Sequence, residues 1–226
     1  MGRSPQPRGF GSARGRMVER QLRRRGIGDE RVLAAMAAVP RELFVPPPLR
    51  ERAYADSALP IGEEQTISQP WIVAAICQAL ELRGSELVLE VGTGSGYSTA
   101  VLARLAAHVV SIERHEALTL AAKGVLEGLG VGNVELVVGD GSLGFPPRAP
   151  FDAIAVNATA PAPPRPLIDQ LAAAGHLVVP ISAGENDALT VLRRAGDRLE
   201  RRDLGPCRFV PLIGEEGYDG GRGSGG

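Results

Sequence analysis

The run Glu90-Val91-Gly92-Thr93-Gly94-Ser95-Gly96 decides how this chain is read. Leu87 to Val91 is a short apolar run of strand length, and residues 97–106 just after the run return to helical periodicity. A strand that ends in a glycine turn and opens a helix leaves unpaired backbone N–H groups beside whatever binds there. The missing side chains let that ligand come close to the backbone. The spacing is Gly92-x-Gly94-x-Gly96, so a dinucleotide pattern Gly-x-Gly-x-x-Gly begun at Gly92 would need a small residue where Tyr97 stands. No Gly-Lys-Ser/Thr follows, which removes the phosphate loop as well. Taken alone, the turn also fits a purely conformational need for glycine at a tight strand-to-helix junction.

Working outward, strands are predicted over 87–91, 109–113, 134–138, 153–156, 177–180, 189–193 and 207–212, with helices over 97–106, 117–129 and 166–173. Strands separated by helices of this length imply right-handed βαβ units. The expected fold is therefore α/β: a doubly wound, mostly parallel seven-stranded sheet with helices on both faces. Upstream, 18–25 and 29–38 read as N-terminal helices, with Asp29 as the cap of the second and Val32, Leu33, Met36 and Val39 as its apolar stripe. Residues 46–70 carry turn formers and short apolar islands and read as a long ordered loop, a kind of segment that often carries function. Residues 71–82 are helical in period.

Residues 1–16 are rich in Gly, Pro, Ser and Arg, lack acids and read as a flexible tail, with Met17 a candidate start. Their prolines and glycines would break the amphipathic helix of an organellar transit peptide. Residues 215–226 read as a second, glycine-rich tail, leaving 17–214 as a single domain. A chain of 226 residues with 44% hydrophobic content has enough apolar material for one substantial core. Lys and Arg number 25 against 26 acids, a balance that gives no bulk attraction to nucleic acid or to an anionic membrane. No apolar run is long enough to cross a bilayer. Cys77 and Cys207 lie far apart with no C-x-x-C spacing, and His108, His115 and His176 are scattered, so no metal site is expected and the cytoplasm is the expected compartment.

Two acids give the glycine turn company. Glu113 stands at the carboxyl end of the predicted second strand, 21 positions after Gly92, where a carboxylate can accept both hydroxyl hydrogens of a ribose. Asp140, in Gly139-Asp140-Gly141 after the third strand, is placed to accept a hydrogen bond from an adenine amino group. Each has a plainer reading, a solvated strand end for Glu113 and an Asp-Gly turn for Asp140. Together, over 86–212, these elements resemble the class I S-adenosylmethionine-dependent methyltransferases.

Amide-directed members of that class usually carry an Asn/Asp-Pro-Pro-aromatic motif after the fourth strand, and here that position reads Asn157-Ala158-Thr159-Ala160. The upstream stretches Ala53-Tyr54-Ala55-Asp56, Leu59-Pro60-Ile61-Gly62 and Gln65-Thr66-Ile67-Ser68-Gln69-Pro70 point elsewhere. With Val39-Pro40-Arg41-Glu42-Leu43-Phe44-Val45-Pro46 before them and Arg208-Phe209-Val210-Pro211-Leu212 near the end, the chain resembles the protein-L-isoaspartate O-methyltransferases from about Met17 to Leu212.

The resemblance implies methyl transfer from S-adenosylmethionine to the free α-carboxylate of L-isoaspartyl, and also D-aspartyl, residues in damaged proteins. The ester then closes to a succinimide whose hydrolysis returns some normal aspartate. Carried over by motif position, Ser68 is the catalytic residue. The cofactor is met by Thr66, Ile67, Glu90, Gly92, Thr93, Gly94, Gly96, Glu113, Asp140 and Gly141, and no metal is needed. The acceptor carboxylate is already ionised at neutral pH, so no general base is required and Ser68 would aim it through a hydrogen bond. As a bare sequence, Ser68 is equally a turn residue or helix cap ahead of Trp71. The chain departs from the family's common Thr-Ala-Ala with Asn157-Ala158-Thr159, and from its common Gln with Ser98, so Asn157 is expected to narrow the substrate range. Three rivals stay open: a carboxyl methyltransferase for a small molecule, one for a single dedicated peptide, and an inactive S-adenosylmethionine-binding sensor. The expected partners are isoaspartyl proteins and peptides, met by a monomer without nucleic acid or membrane.

Overall fold

In β3 (Leu87–Val91) successive side chains point to opposite faces of a sheet, and both faces are covered: Val88 joins one apolar cluster and Leu89 and Val91 the other. The computed structural model describes residues 9–219 apart from Glu185 and Asp197. It holds a seven-stranded sheet in the order β5-β4-β3-β6-β7-β8-β9. The strands are β3, β4 (His108–Glu113), β5 (Val134–Val138), β6 (Phe151–Val156), β7 (Leu171–Ala183), β8 (Asn186–Ala195) and β9 (Arg198–Cys207). The first five in chain order are mutually parallel, while β8 runs antiparallel to both β7 and β9.

From β3 the chain winds outward through β4 to β5, then returns to place β6 on the other side of β3. This reversal opens a crevice beyond the carboxyl ends of β3 and β6, the place where open α/β sheets receive ligands. One face of the sheet is covered by α2 (Glu30–Ala38), α3 (Pro70–Ala79) and α4 (Tyr97–Ala103), with Leu126 of α5 (Glu116–Gly128) in the same cluster. The other is covered by α6 (Arg165–Asp169) and the chain around Ala158 and Leu212. Asp29 caps α2 as expected, its carboxylate accepting from the backbone N–H of Arg31 at 2.8 Å and of Val32 at 3.3 Å.

Four boundaries differ from the sequence reading. Helix α1 (Phe10–Met17) occupies part of the expected N-terminal tail and runs on through 18–25 to Gly26, whose φ of 94° ends it. It is held from outside: Arg14 donates to the Ala38 carbonyl at 3.0 Å, and Phe10 meets Tyr54 at 6.4 Å between ring centres. Residues 215–219 are likewise structured, whereas 1–8 and 220–226 lie outside the described residues. The final strand is β9, not 207–212, and β7 begins at Leu171, inside the segment expected to be helical. The long loop at 46–70 contains a 3₁₀ turn (Pro47–Arg52) and a hairpin of β1 (Leu59–Gly62) and β2 (Gln65–Ile67).

That hairpin turns through Glu63 and Glu64, at φ 48° and 57°. Two successive left-handed residues match a type I′ turn, which favours Asn-Gly because a Cβ is disfavoured there. Glu63 faces His115 at 3.6 Å, but Glu64 has no such compensation among the described residues. Glu64→Gly should raise stability by about 0.5–1 kcal/mol, the relieved left-handed cost exceeding the unfolded-state entropy that glycine adds. Chemical denaturation reads this, and an unchanged or lower midpoint would refute the strain.

Candidate active site

The glycine turn after β3 is built from three left-handed residues: Gly92, Gly94 and Gly96 have φ of 92°, 52° and 85°. Each is also crowded. A Cβ at Gly92 would lie 3.3 Å from Cβ of Asn157 at the end of β6, one at Gly94 3.4 Å from Ile61 of the hairpin, and one at Gly96 3.0 Å from Ala122 of α5. Gly96 therefore serves helix packing, whereas Gly92, Thr93 and Gly94 line a cavity. Ile61 near Gly94 shows that the β1–β2 hairpin lies over the turn.

Glu113, at the end of β4, also lines this cavity and is nearly buried, at 6% exposure. Its Oε2 accepts from the Gly94 N–H at 2.9 Å and its Oε1 from the His115 N–H at 3.0 Å. The carboxylate is thus aimed by backbone donors and forms no ion pair among the described residues. Gly141 lines the same cavity, and a Cβ there would come within 2.5 Å of Val91 Cγ1, so the chain after β5 passes tightly over the end of β3.

Asp140 sits just outside the cavity lining. Its Oδ1 accepts from the Ser142 N–H at 2.9 Å and hydroxyl at 2.7 Å, and its Oδ2 from the Glu215 N–H at 2.8 Å. Burial acts to raise this carboxyl, but the donors from Glu215 and Ser142 outweigh it and hold it below the usual carboxylate range.

Glu90 stands apart from the other residues carried over from the motif. It is fully buried beneath the turn and does not line the cavity. Its Oε2 accepts from the hydroxyls of Thr99 at 2.5 Å and Ser111 at 2.6 Å, and its Oε1 from the Asn157 amide at 3.0 Å. The same amide donates to the Gly92 carbonyl at 3.1 Å, and Thr93 and Ser111 hydroxyls meet at 2.6 Å. Glu90 therefore braces the turn from below rather than reaching into the site. Burial pushes its carboxyl above the ordinary range, with Ser111 and Thr99 pulling the other way. Such a group favours folding fully below its unfolded value, ordinarily 4.5, and loses that contribution as pH rises through the higher folded value. A glutamine cannot ionise and the hydroxyls can turn to accept from it. The melting temperature of Glu90→Gln relative to wild type should thus climb as pH rises above the unfolded value, and a pH-independent difference would refute this.

Thr66, Ile67 and Ser68 come from β2 and the step into α3, where Pro70 occupies the first helical turn. All of them line the cavity, and Thr66 and Ser68 also line a second one, together with Asn157 and Val210. What fixes Ser68 was not evident from its own motif. Arg41, fully buried, donates from Nη2 to the Ser68 carbonyl at 2.8 Å and from Nε to the Ala53 carbonyl at 2.7 Å, and its guanidinium lies 4.8 Å over the Tyr97 ring. Burial pushes it down to about 10, and pushes the Tyr97 hydroxyl up to about 12. The only sequence signal for Arg41 is its place in the stretch 39–46.

The family model for protein-L-isoaspartate(D-aspartate) O-methyltransferase matches residues 13–217. The chain belongs to this family. Among its relatives, the protein-L-isoaspartate O-methyltransferase of Methanoculleus marisnigri is 54% identical over 204 residues, covering 90% of this chain and 93% of the relative. A solved protein-L-isoaspartate O-methyltransferase superposes with a TM-score of 0.80 at 30% identity, over 90% of this chain and 67% of that one. The Plasmodium falciparum protein assigned to the same activity, solved with S-adenosyl-L-homocysteine, superposes at 0.76 with 26% identity, over 90% and 98% of the two chains.

The family's cofactor is S-adenosylmethionine, and the cavity fits it on two observations. A nearly buried carboxylate, Glu113, faces it without a cationic partner, and the glycine turn and Gly141 leave room where side chains would intrude. Among the described residues, no group of three or more His, Cys, Asp or Glu is placed to hold a metal ion, and no helix is long and apolar enough to cross a membrane.

Proposed function

We propose that this isoaspartate methyltransferase family member transfers a methyl group from S-adenosylmethionine to the free α-carboxylate of L-isoaspartyl, and D-aspartyl, residues in damaged proteins, opening their repair through a succinimide. The observation that carries this reading is that Ser68 and Thr66 line both cavities, the one floored by the glycine turn and Glu113 and the one bordered by Trp71 and Arg208. In this reading the first takes the nucleoside and the second the damaged polypeptide.

When bound, S-adenosylmethionine supplies an electrophilic methyl group on a sulfonium. Glu113 holds ribose hydroxyls, Gly92, Thr93, Gly94 and Gly141 give the ligand close access to the backbone, and Thr66 and Ile67 close the cavity from the hairpin side. Asp140 serves the adenine edge with whatever acceptor capacity its existing donors leave. Ser68 donates a hydrogen bond that orients the acceptor carboxylate. That group is ionised at neutral pH, so none of these side chains has to remove a proton. Orientation of the carboxylate against the methyl group accounts for much of the acceleration. Asn157, tied to Glu90 and Gly92, lines both cavities and in this reading narrows the substrate range. We read the chain as a single catalytic unit that works as a monomer in the cytoplasm, without nucleic acid or membrane. Its even charge balance and two buried, unbridged cysteines support that setting.

Methyl transfer from radiolabelled S-adenosylmethionine to an isoaspartyl peptide, its aspartyl twin and a panel of small carboxylic acids tests the reading. Labelling of the isoaspartyl peptide alone is expected. Equal labelling of both peptides would refute the selectivity, labelling of a small acid alone would move the substrate class, and cofactor binding without transfer would make the chain a sensor.

A further inference from the structure

The second cavity, of about 520 Å³, falls within the ~300–1,000 Å³ of ligand-sized clefts. It adjoins the first through Thr66, Ser68, Asn157 and Val210, so whatever brings a carboxylate to Ser68 extends into it. Its lining contains two cations, Arg25 and Arg208, and no Asp or Glu. The two are held differently. Arg25 pairs with Asp56 at 2.7 Å, and its guanidinium lies 5.2 Å over the ring of Trp71, whose indole N–H donates to the Arg25 carbonyl at 3.2 Å. Asp56 is itself held by the Gln69 amide at 2.6 Å. Arg208 is exposed and has no carboxylate partner among the described residues. It rides on a segment fixed where the Phe209 N–H donates to Asp187 at 3.2 Å. Asp56 answers Arg25, and Asp187 lies behind the lining, tied to the Phe209 N–H and to the Thr159 hydroxyl at 2.6 Å, so Arg208 is left as a guanidinium of the lining without a carboxylate partner among the described residues, beside a flat aromatic wall.

We propose that this cavity is a subsite for an acidic side chain of the substrate polypeptide, on a residue flanking the isoaspartyl linkage, with Arg208 as its principal contact and Arg25 on Trp71 as its wall. An isoaspartyl linkage runs the chain through the side chain, so the neighbouring residues leave the acceptor at an angle and must lie in the space next to Ser68. A guanidinium matches a carboxylate in geometry, and a like charge entering the cavity meets repulsion that the rim cannot relieve. Because both groups are partly solvated, the effect is modest and salt-sensitive.

The proposal rests on the isoaspartyl reading above, and one experiment separates the two. The full chain is assayed with peptides of one isoaspartyl sequence carrying Glu, Ala or Lys immediately before or immediately after the linkage. The expected kcat/KM order is Glu, then Ala, then Lys at one of these positions, with a spread of about tenfold at low salt that narrows at high salt. In Arg208→Gln the spread falls toward one, in Arg25→Gln it shrinks, and Arg208→Lys restores part of it. Equal kcat/KM for the three flanks in wild type, or a full spread in Arg208→Gln, overturns the subsite alone. No methylation of the alanine-flanked isoaspartyl peptide overturns the isoaspartyl reading and the subsite with it. The ratio is internal to each variant, so loss of folded protein does not imitate the result.

Discussion

In Ser68→Ala, kcat/KM for an isoaspartyl peptide is expected to fall by about 10²-fold, the usual cost of losing one donor or of a small misplacement of the reacting group. Affinity for S-adenosyl-L-homocysteine should stay within about twofold, because Glu113 and the glycine turn are untouched. Ser68 sits where the two cavities join, and its backbone is held from behind by Arg41. Removing the hydroxyl therefore leaves the loop in place and takes away only the group proposed to aim the acceptor. Steady-state kinetics with the peptide varied, beside calorimetric titration of the product, reads both quantities. A variant with wild-type turnover would remove Ser68 from the mechanism, and equal loss of both quantities would make it a structural residue.

Arg41→Ala should lower stability by about 3–4 kcal/mol, among the larger values for a single substitution. Two carbonyls, the buried one of Ala53 and the half-buried one of Ser68, lose their donor at about 1–3 kcal/mol each, and the side chain that packs on Tyr97 leaves a void. Against this stands relief of the desolvation that pushes the guanidinium down to about 10. That relief is only partial compensation, because the alanine fills none of the vacated space. In a domain of this size the melting temperature drops by about 10 °C. Below that temperature, KM for the isoaspartyl peptide should rise more than KM for the cofactor, since the loop carrying Ser68 loses its anchor and Gly92 to Gly94 do not. Arg41→Lys recovers part of the stability, as a single ammonium cannot span both carbonyls as the planar fork does. A melting temperature unchanged in the alanine variant would show that the carbonyls find other donors.

The central sheet was legible because β3, β4, β5 and β6 are apolar runs closed by glycine or polar punctuation, β3, β4 and β6 being buried on both faces, and each was located to within two residues. β9 was not, for the opposite reason. It is an edge strand whose opening residues Arg198, Leu199, Glu200, Arg201, Arg202 and Asp203 are exposed, so its pairing with β8 leaves no apolar trace. Residues 207–212 look like a strand because Leu212 is buried against the end of β6, where Thr159 bridges Pro211. Helix α1 owes its place to Arg14 and Phe10 reaching other elements, contacts that composition does not encode. In the site, Gly92, Gly94 and Glu113 could be singled out because turns and strand ends limit which residues fit, whereas Ser68 was reached only through the family resemblance of its motif. Arg41 and the bracing role of Glu90 could not be singled out. Nothing in a local pattern says that a charged side chain turns inward.

The way Asp140 is held joins residues 214–218 to the far wall of the site. Its carboxylate takes the Glu215 N–H, Ser142 takes the Glu216 N–H at 3.1 Å, and Tyr218 folds back to donate to the Leu212 carbonyl at 2.7 Å. The turn at 214–218 is thereby stitched to the chain just after β5, and Leu212 and Ile213 at its root line the cavity of the glycine turn and Glu113. In the reading proposed above, where Asp140 meets the adenine edge, occupancy of that cavity and closure of the turn share a carboxylate and are thermodynamically linked. The amides of Glu215 and Glu216 become reporters: their protection from hydrogen exchange registers what happens at the adenine edge. A chain cut after residue 213 would forfeit more than a loose end.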